Sequence, residues 1–273
     1  MPGGAGRYRM YGMIIDTGKI FLRAWQGYAE AFPLSARLGH PEIEIAFAGI
    51  PVPLFNLAFP KNSGALQRGD LDRLTGEFGK ILTPRGVPGL LFVRRGQVEN
   101  RAGVEPLLTM PGMVAGELLP PKRELGKFEI REVSGAAMAE EIARLNVVCH
   151  EMEMTDLPAL TCAGLWRGPH HGFLLYENGA AVAGGSASFV EGVSYIGCMA
   201  TLPEKRGRGY AEGILRLMDA FMRRRYGVRE TVLHATEMGR PVYERLGYRA
   251  VDEFAGYLCV AGNRAEKDPV END

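Results

Sequence analysis

Four cysteines, two tryptophans and five histidines in 273 residues give metal and disulfide chemistry few side chains to work with. Cys149, Cys162, Cys198 and Cys259 form no C-x-x-C pair and no metal-knuckle spacing. Cys198 and Cys259 fall in strand-like apolar runs, where a free thiol behaves as a small hydrophobe. No apolar run approaches the ~18 residues of a membrane span, and the opening MPGGAGRYRMYGMIID lacks the apolar core of a secretory signal. Charge of one sign is also missing, since 32 Lys plus Arg face 32 Asp plus Glu. That balance excludes a global pull toward nucleic acid or anionic membrane and makes any positive site local. The expectation is a cytoplasmic protein without metal, nucleic-acid or membrane partners.

Several motifs are absent too. Nothing matches the Walker A loop G-x-x-x-x-G-K-[ST]. Gly207, Gly209 and Gly213 give G-x-G-x-x-x-G, one residue too long for the dinucleotide fingerprint. HEMEM at 150–154 has methionine where a zinc helix needs its second histidine, and reads as a helix end. PHHG at 169–172 has no carboxylate or cysteine partner in register. GGSAS at 184–188 is not G-x-S-x-G, so Ser186 is a poor nucleophile. RRRYGVR at 223–229 suits a helix C-terminus, where cations complement the dipole.

What is present is a chain of ordinary globular composition, 46% hydrophobic and 23% charged, long enough for two domains. GELLPPKRELGKFEIREVSG at 116–135, with Pro120-Pro121, reads as the linker between two blocks. In the second block KFEIREV alternates like a strand. A helix follows from Ala136, with Met138, Ile142, Leu145, Val148 and Met152 on its apolar face. GFLLYENG and AAVAGGSASFVEG form a hairpin about Asn178-Gly179. VSYIGCMATLP is a strand ended by Pro203. The next helix carries Ile214, Leu217, Met218, Phe221 and Met222 on one face. ETVLHAT, GRPVYERLG and YRAVDEFAGYLCV read as strand, helix and strand. The order β-α-β-β-β-α-β-α-β is that of an α/β domain with a mixed sheet. In the first block a helix at 17–37 precedes EIEIAFAG and PLFNLAF. A helix at 66–82, GLLFVRR, a segment at 99–108 and GMVAGEL follow. The outline echoes the second block as a diverged repeat.

PEKRGRGYAEG at 203–213 joins a strand to a helix and meets the pattern R-x-x-G-x-[GA] through Arg206, Gly209 and Ala211. Glycines let backbone N–H groups turn toward an anion, and the helix start adds unpaired donors and partial positive charge. Together with LHATEMGRPVYERLGYRAV, the stretch ATLPEKRGRGYAEGILRLM resembles the GCN5-related N-acetyltransferase (GNAT) family over about residues 127–260. The resemblance implies a mixed, mostly antiparallel sheet flanked by helices. It also implies two tandem copies, a degenerate one at 1–122 and an acetyltransferase domain at 127–262, with a polar tail at 263–273. FPKNSGALQRGDL stands at the loop position of the first block without the R-x-x-G-x-[GA] pattern, so that block is expected not to bind the cofactor.

The implied reaction is acetyl transfer from acetyl-CoA to an amine on a small molecule or peptide. Met199, Ala200 and Thr201 would pair with the pantetheine arm, and Arg206, Gly207, Arg208, Gly209, Tyr210 and Ala211 would meet the pyrophosphate. Thr236 stands where many relatives carry a cofactor-contacting asparagine. Tyr243 matches the position of the family's proton donor to the leaving thiolate, or else packs the short helix. Tyr195 occupies the usual base position and cannot easily serve. Glu191 and His234 are the substitutes, and His234, in an alternating strand, reads equally as a core side chain or a proton relay. Trp166 and the 149–171 segment are candidate acceptor walls. A protein that binds acyl-CoA without turnover is the alternative; the acceptor, the acyl length and the oligomeric state are not legible.

Overall fold

The computed structural model describes residues 7–10, 13–67, 69–97, 105–122 and 124–260. A hairpin of β1 (Arg7–Met10) and β2 (Met13–Asp16) leads into α1 (Thr17–Glu30). The Asp16 carboxylate caps α1 by accepting from the Lys19 N–H at 3.0 Å. The helix ends at Glu30 rather than at 37, because Pro33 has no N–H and its ring would clash with the carbonyl one turn back. The first half continues with β3 (Ile43–Phe47), β4 (Asn56–Pro60), α2 (Asp70–Leu82), β5 (Gly89–Arg94) and β6 (Leu108–Ala115). α2 begins at 70 rather than 66, since the left-handed Gly69 (φ 85°) turns the chain just before it. The segment expected at 99–108 lies up to residue 104 outside the described residues, as does the tail at 263–273.

The second half holds β7 (Glu129–Glu132), α3 (Gly135–Cys149), α4 (Leu157–Leu160), β8 (His170–Glu177), β9 (Ala180–Val190), β10 (Val193–Thr201), α5 (Tyr210–Tyr226), β11 (Thr231–His234), α6 (Arg240–Arg245) and β12 (Arg249–Cys259). The expected order of elements is found, with α4 added. Asn178 and Gly179 both adopt positive φ (52° and 81°), as a two-residue hairpin turn requires. α3 stops at Cys149, just before the left-handed Glu151, so Met152 lies beyond the helix; the buried face runs through Ala139, Ala143 and Val147, which leaves Val148 exposed.

Ten strands form one mixed sheet in the order β3-β4-β5-β12-β6-β11-β10-β9-β8-β7. The halves repeat a unit, an antiparallel pair followed by a helix and a parallel strand: β3-β4-α2-β5 and β9-β10-α5-β11. Each half then gives its last strand to the other. β6 lies antiparallel to β11 (Thr231↔Ala115 to His234↔Gly112), and β12 lies antiparallel to β5 (Phe254↔Arg94 to Cys259↔Gly89). The exchanged strands also pair with one another.

One core crosses the exchange. Phe21, Trp25 and Tyr28 of α1 are buried with Phe92 of β5, Tyr195 of β10 and Phe254 of β12. Burying each large side chain contributes about 1.5–3 kcal/mol. A buried polar chain adds direction. The Tyr28 hydroxyl lies 2.9 Å from Ser186 Oγ and 3.0 Å from Ser188 Oγ, and Ser188 Oγ lies 2.8 Å from His170 Nδ1. Ser186 is thereby a strut between α1 and β9.

Candidate functional site

β10 and β11 pair in parallel over only three residues, Ser194–Ile196 against Thr231–Leu233. The register of β10 against β9 then shifts between Gly197 and Ala200, with Cys198 in the left-handed region (φ 51°), a bulge that re-aims the strand. Beyond the bulge, Ala200 and Thr201 pair with Gly184 and Ala183 of β9 only. The other edge of 199–201 therefore borders the gap that opens between β10 and β11. Gly197 packs closely here: a Cβ would stand 3.2 Å from the Tyr28 hydroxyl, so a larger residue would push the hydroxyl back by a few tenths of an ångström.

The gap widens into a cavity of about 1230 Å³. Met199, Ala200 and Thr201 line it, as do Arg206, Gly207, Gly209, Tyr210, Ala211, Thr236 and Tyr243. The loop reaches this shape through Gly207 (φ 77°) and Gly209 (φ 86°), which β-carbon-bearing residues adopt only at a cost. The 17-residue α5 has Gly209 as its N-cap, with no side-chain cap bond among the described residues. Its first-turn N–H groups and the positive end of its dipole are thus presented to an anion. Arg206 stands beside them, its Nε donating to the Thr201 carbonyl at 3.2 Å.

Arg208 turns away from the cavity toward Glu177, 3.2 Å distant. Glu177 also accepts from Lys205 and from the Tyr210 hydroxyl. The Lys205 bond, followed by that of Tyr210, holds its carboxyl down at about 2. Glu177 thus fixes the loop from outside.

Tyr243 on α6 is buried at the cavity wall, with no hydrogen bond to its hydroxyl among the described residues, and burial pushes its phenol above the ordinary tyrosine range. Thr236 Oγ1 accepts from the Gly239 N–H at 3.2 Å, which shapes the turn into α6 and leaves its own proton to donate.

The two candidate bases stand apart from the cavity. Glu191 occupies a left-handed position (φ 48°) in the β9–β10 turn and pairs with Lys19 at 2.7 Å. His234 faces the core, stacked on Phe21 at a centroid distance of 4.1 Å, with neither ring nitrogen hydrogen-bonded among the described residues. Burial, reinforced by Arg94, pushes it down to about 3, so it is a neutral core side chain. Tyr195 accepts from Trp25 Nε1 at 3.3 Å and is likewise internal. Of the candidate acceptor walls, Cys149, His150 and Glu151 line the cavity, whereas Trp166 packs over Gly172, where a Cβ would lie 2.9 Å from its ring.

Sequence reasoning missed Pro120 and Lys122 of the linker, and Glu237, Met238 and Arg245 around α6, all of which line the cavity. Glu237, Met238 and Arg245 lie within the stretch LHATEMGRPVYERLGYRAV that carried the resemblance, whereas Pro120 and Lys122 lie outside any motif. The remaining candidates are engaged elsewhere: His171 lies 2.6 Å from Glu132 and 2.8 Å from the Tyr226 hydroxyl, and Arg223 pairs with Asp219 at 2.8 Å. No group of His, Cys, Asp or Glu among the described residues is arranged to hold a metal ion, and no helix is long and apolar enough to cross a membrane.

Residues 136–248 match the model of the acetyltransferase (GNAT) family. No curated protein matches the chain. Among solved structures, a GCN5-related N-acetyltransferase from Kribbella flavida is similar over 91% of this chain and 97% of its own, at 14% identity and a TM-score of 0.64. A GNAT-family protein from Novosphingobium aromaticivorans is similar over 86% and 95%, at 17% identity and a TM-score of 0.55. A tandem GNAT protein from the clavulanic acid biosynthesis pathway is similar over 91% and 96%, at 13% identity and a TM-score of 0.51. At these identities the likeness is one of fold, and it extends over both halves.

Proposed function

This chain carries a domain of the GNAT acetyltransferase family at residues 136–248, and on that premise we propose that it moves an acetyl group from acetyl-CoA to an amine of a small molecule or peptide. The observation that carries the reading is the parting of β10 from β11 beside a cavity that runs on to the uncapped start of α5. Acetyl-CoA supplies the acetyl group as a thioester. The backbone of Met199, Ala200 and Thr201 orients the pantetheine arm as an added strand would. Arg206, Gly207, Gly209, Tyr210 and Ala211 receive the pyrophosphate through backbone N–H groups, the helix dipole and one guanidinium. Arg208 acts through Glu177 to hold the loop, and Thr236 donates its hydroxyl to the arm.

Tyr243 gives its proton to the leaving sulfur. A phenol holds its proton at neutral pH, so Tyr243 enters the step in the donor form; the burial that raises it makes the proton harder to give up and is offset only as charge develops on the sulfur. Glu191 is tied to Lys19 and His234 is walled by aromatic rings, so the mechanism proposed here assigns neither as base. The amine attacks in its neutral form; as its C–N bond forms and the C–S bond breaks it sheds one proton to water in the open cleft, and the phenolate left at Tyr243 takes a proton back from that water.

The cofactor unit is 127–262, and 1–122 serves as its structural partner without a second cofactor site. Four free thiols, Cys149, Cys162, Cys198 and Cys259, support a reducing, cytoplasmic setting. Calorimetric titration of acetyl-CoA into the wild type and Gly209→Trp tests the reading. One site per chain, abolished by the tryptophan, is expected, and release of free thiol with a panel of amines would then identify the acceptor class. Absence of binding to the wild type overturns the proposal. Binding without turnover on any amine favours an acyl-CoA-binding protein instead.

A further inference from the structure

The segment joining the two halves is pinned across the cofactor domain. The Leu119 N–H donates to the Leu246 carbonyl at 2.9 Å, and Arg216 donates to the Leu119 carbonyl at 2.7 Å. Arg223 donates to the Gly116 carbonyl. The Leu119 side chain also packs against Gly247, where φ is +98° and a Cβ would lie 3.0 Å from Leu119 Cγ. Anchored on both α5 and α6, the strap brings Pro120 and Lys122 into the cavity wall.

The cations around that wall are not equally available. Lys205 is held by Glu177, and the Arg206 Nε is turned to the Thr201 carbonyl. Lys122 and Arg245 also line the cavity, both exposed, and neither forms an ion pair among the described residues. Of the acids on the wall, Glu212 is occupied by Arg216 at 2.7 Å, while Glu151 and Glu237 stand on the turns after α3 and before α6. The cavity thus has two uncommitted cations beyond those of the glycine loop, one on the strap and one at the end of α6.

Acetyl-CoA offers two separate anionic groups. Its pyrophosphate matches the loop and the α5 start. Its ribose 3′-phosphate is a monoester carrying about −1.5 to −2 charges at neutral pH, and it needs cations of its own. We propose that Lys122 and Arg245 receive this 3′-phosphate, so that the inter-half strap helps the cleft distinguish CoA from its 3′-dephospho form. The inference rests on the acetyl-CoA reading above. It gives the linker a part in ligand selection that its sequence, read alone as a spacer, did not suggest.

Titration of the full chain with CoA and with 3′-dephospho-CoA tests this directly, in the wild type, Lys122→Ala, Arg245→Ala and the double variant. Two solvent-facing ion pairs lead us to expect a wild-type preference for CoA of about tenfold, weakening with salt. Each single variant should lose part of that preference, and the double variant all of it, with affinity for 3′-dephospho-CoA unchanged. Lys122→Arg should retain the preference. A double variant that still favours CoA as the wild type does overturns the proposal, as does a wild type that binds both ligands equally. Either result leaves acetyl-CoA binding intact. A wild type that binds neither ligand removes the acetyl-CoA reading and this inference together.

Discussion

α2 and α5 occupy equivalent places in the two halves and begin with nearly the same backbone. Gly69 before α2 has φ 85° and ψ −9°; Gly209 before α5 has φ 86° and ψ 6°. What surrounds the two glycines differs. α5 follows Arg206 and Gly207 and opens on a cavity, and the acid in its first turn, Glu212, is paired with Arg216 at 2.7 Å. α2 opens with Asp70 and Asp72, and Asp70 accepts from the Gln67 N–H at 2.7 Å and pairs with Arg73 at 3.0 Å. The loop that leads into α2 is pinned by Gln97, whose side-chain amide donates to the Asn62 and Gly64 carbonyls, both at 3.0 Å. A backbone suited to receiving an anion persists in both halves. The Asp70 carboxylate, turned back onto the Gln67 N–H, and a buried glutamine that pins the preceding loop withdraw it from use in one of them.

The comparison treats the halves as separable in function, and the exchanged strands say they are not separable in folding. Residues 124–262 expressed alone lose β6 from between β11 and β12, which bares two strand edges and part of the shared core. Complete loss of cooperative thermal unfolding and of acetyl-CoA binding is expected, with recovery when 1–122 is supplied in trans. A fragment that binds like the full chain would show the exchange to be dispensable.

Chemistry distinguishes the halves next. Tyr243→Phe removes a hydroxyl that bonds to no described residue, so stability should change by less than about 1 kcal/mol. As the proton donor, its loss should lower kcat by about 10²–10⁴-fold while the acetyl-CoA dissociation constant stays within about threefold. An unchanged kcat returns Tyr243 to a packing role.

The electrostatic contrast can be inverted at smaller cost. Ala211→Asp places a second carboxylate in the first turn of α5, beside Glu212, to match the two that α2 carries. It should weaken acetyl-CoA binding by about 30–100-fold, while an acid near a helix N-terminus contributes about 0.3–1 kcal/mol to stability. A stable protein with unimpaired binding would separate the pyrophosphate from the α5 start. Neutralising the first half with Asp70→Asn and Asp72→Asn should create no second site, since Gln97 still pins the loop that leads into α2.

The same contrast marks how far the sequence could be read. The Asn178-Gly179 hairpin, α5 and the glycine loop declare themselves because each is specified by neighbours within a turn or a strand. Strand exchange is invisible at that range: β6 and β12 end in apolar runs that would read the same if each stayed in its own half. GELLPPKRELGK is polar and proline-broken, and nothing local indicates that Leu119 bonds across to Leu246 and sets Lys122 in a wall. His234 shows the limit for single residues. Alternation put it in a strand, but only the packing of Phe21, Tyr195 and Phe254 around its ring decides that it is core.

The smallest expected effect concerns what joins the halves. His170, on β8, is linked through Ser188 to Tyr28 of α1, and burial pushes it down to about 4. His234 is pushed down to about 3, and His150 moves the same way, again by burial. Above pH ~6.5 these rings are neutral in both folded and unfolded chains. As pH falls below that value the unfolded chain takes up protons that the native protein refuses until about 4, so stability must fall with pH across this window. The carboxylate of Glu177, held at about 2, adds nothing there, because it stays ionised in both states until pH nears 4.5. Between pH 6.5 and 5 the loss should be of order 1–2 kcal/mol for each of His170 and His234. Urea unfolding of His170→Gln at both pH values should show a smaller acid-induced loss, even though its stability at pH 7 is lower. A pH dependence identical to the wild type would mean that His170 is protonated at its ordinary pH in the native protein, and that the chain from β8 to α1 leaves a ring nitrogen open to water.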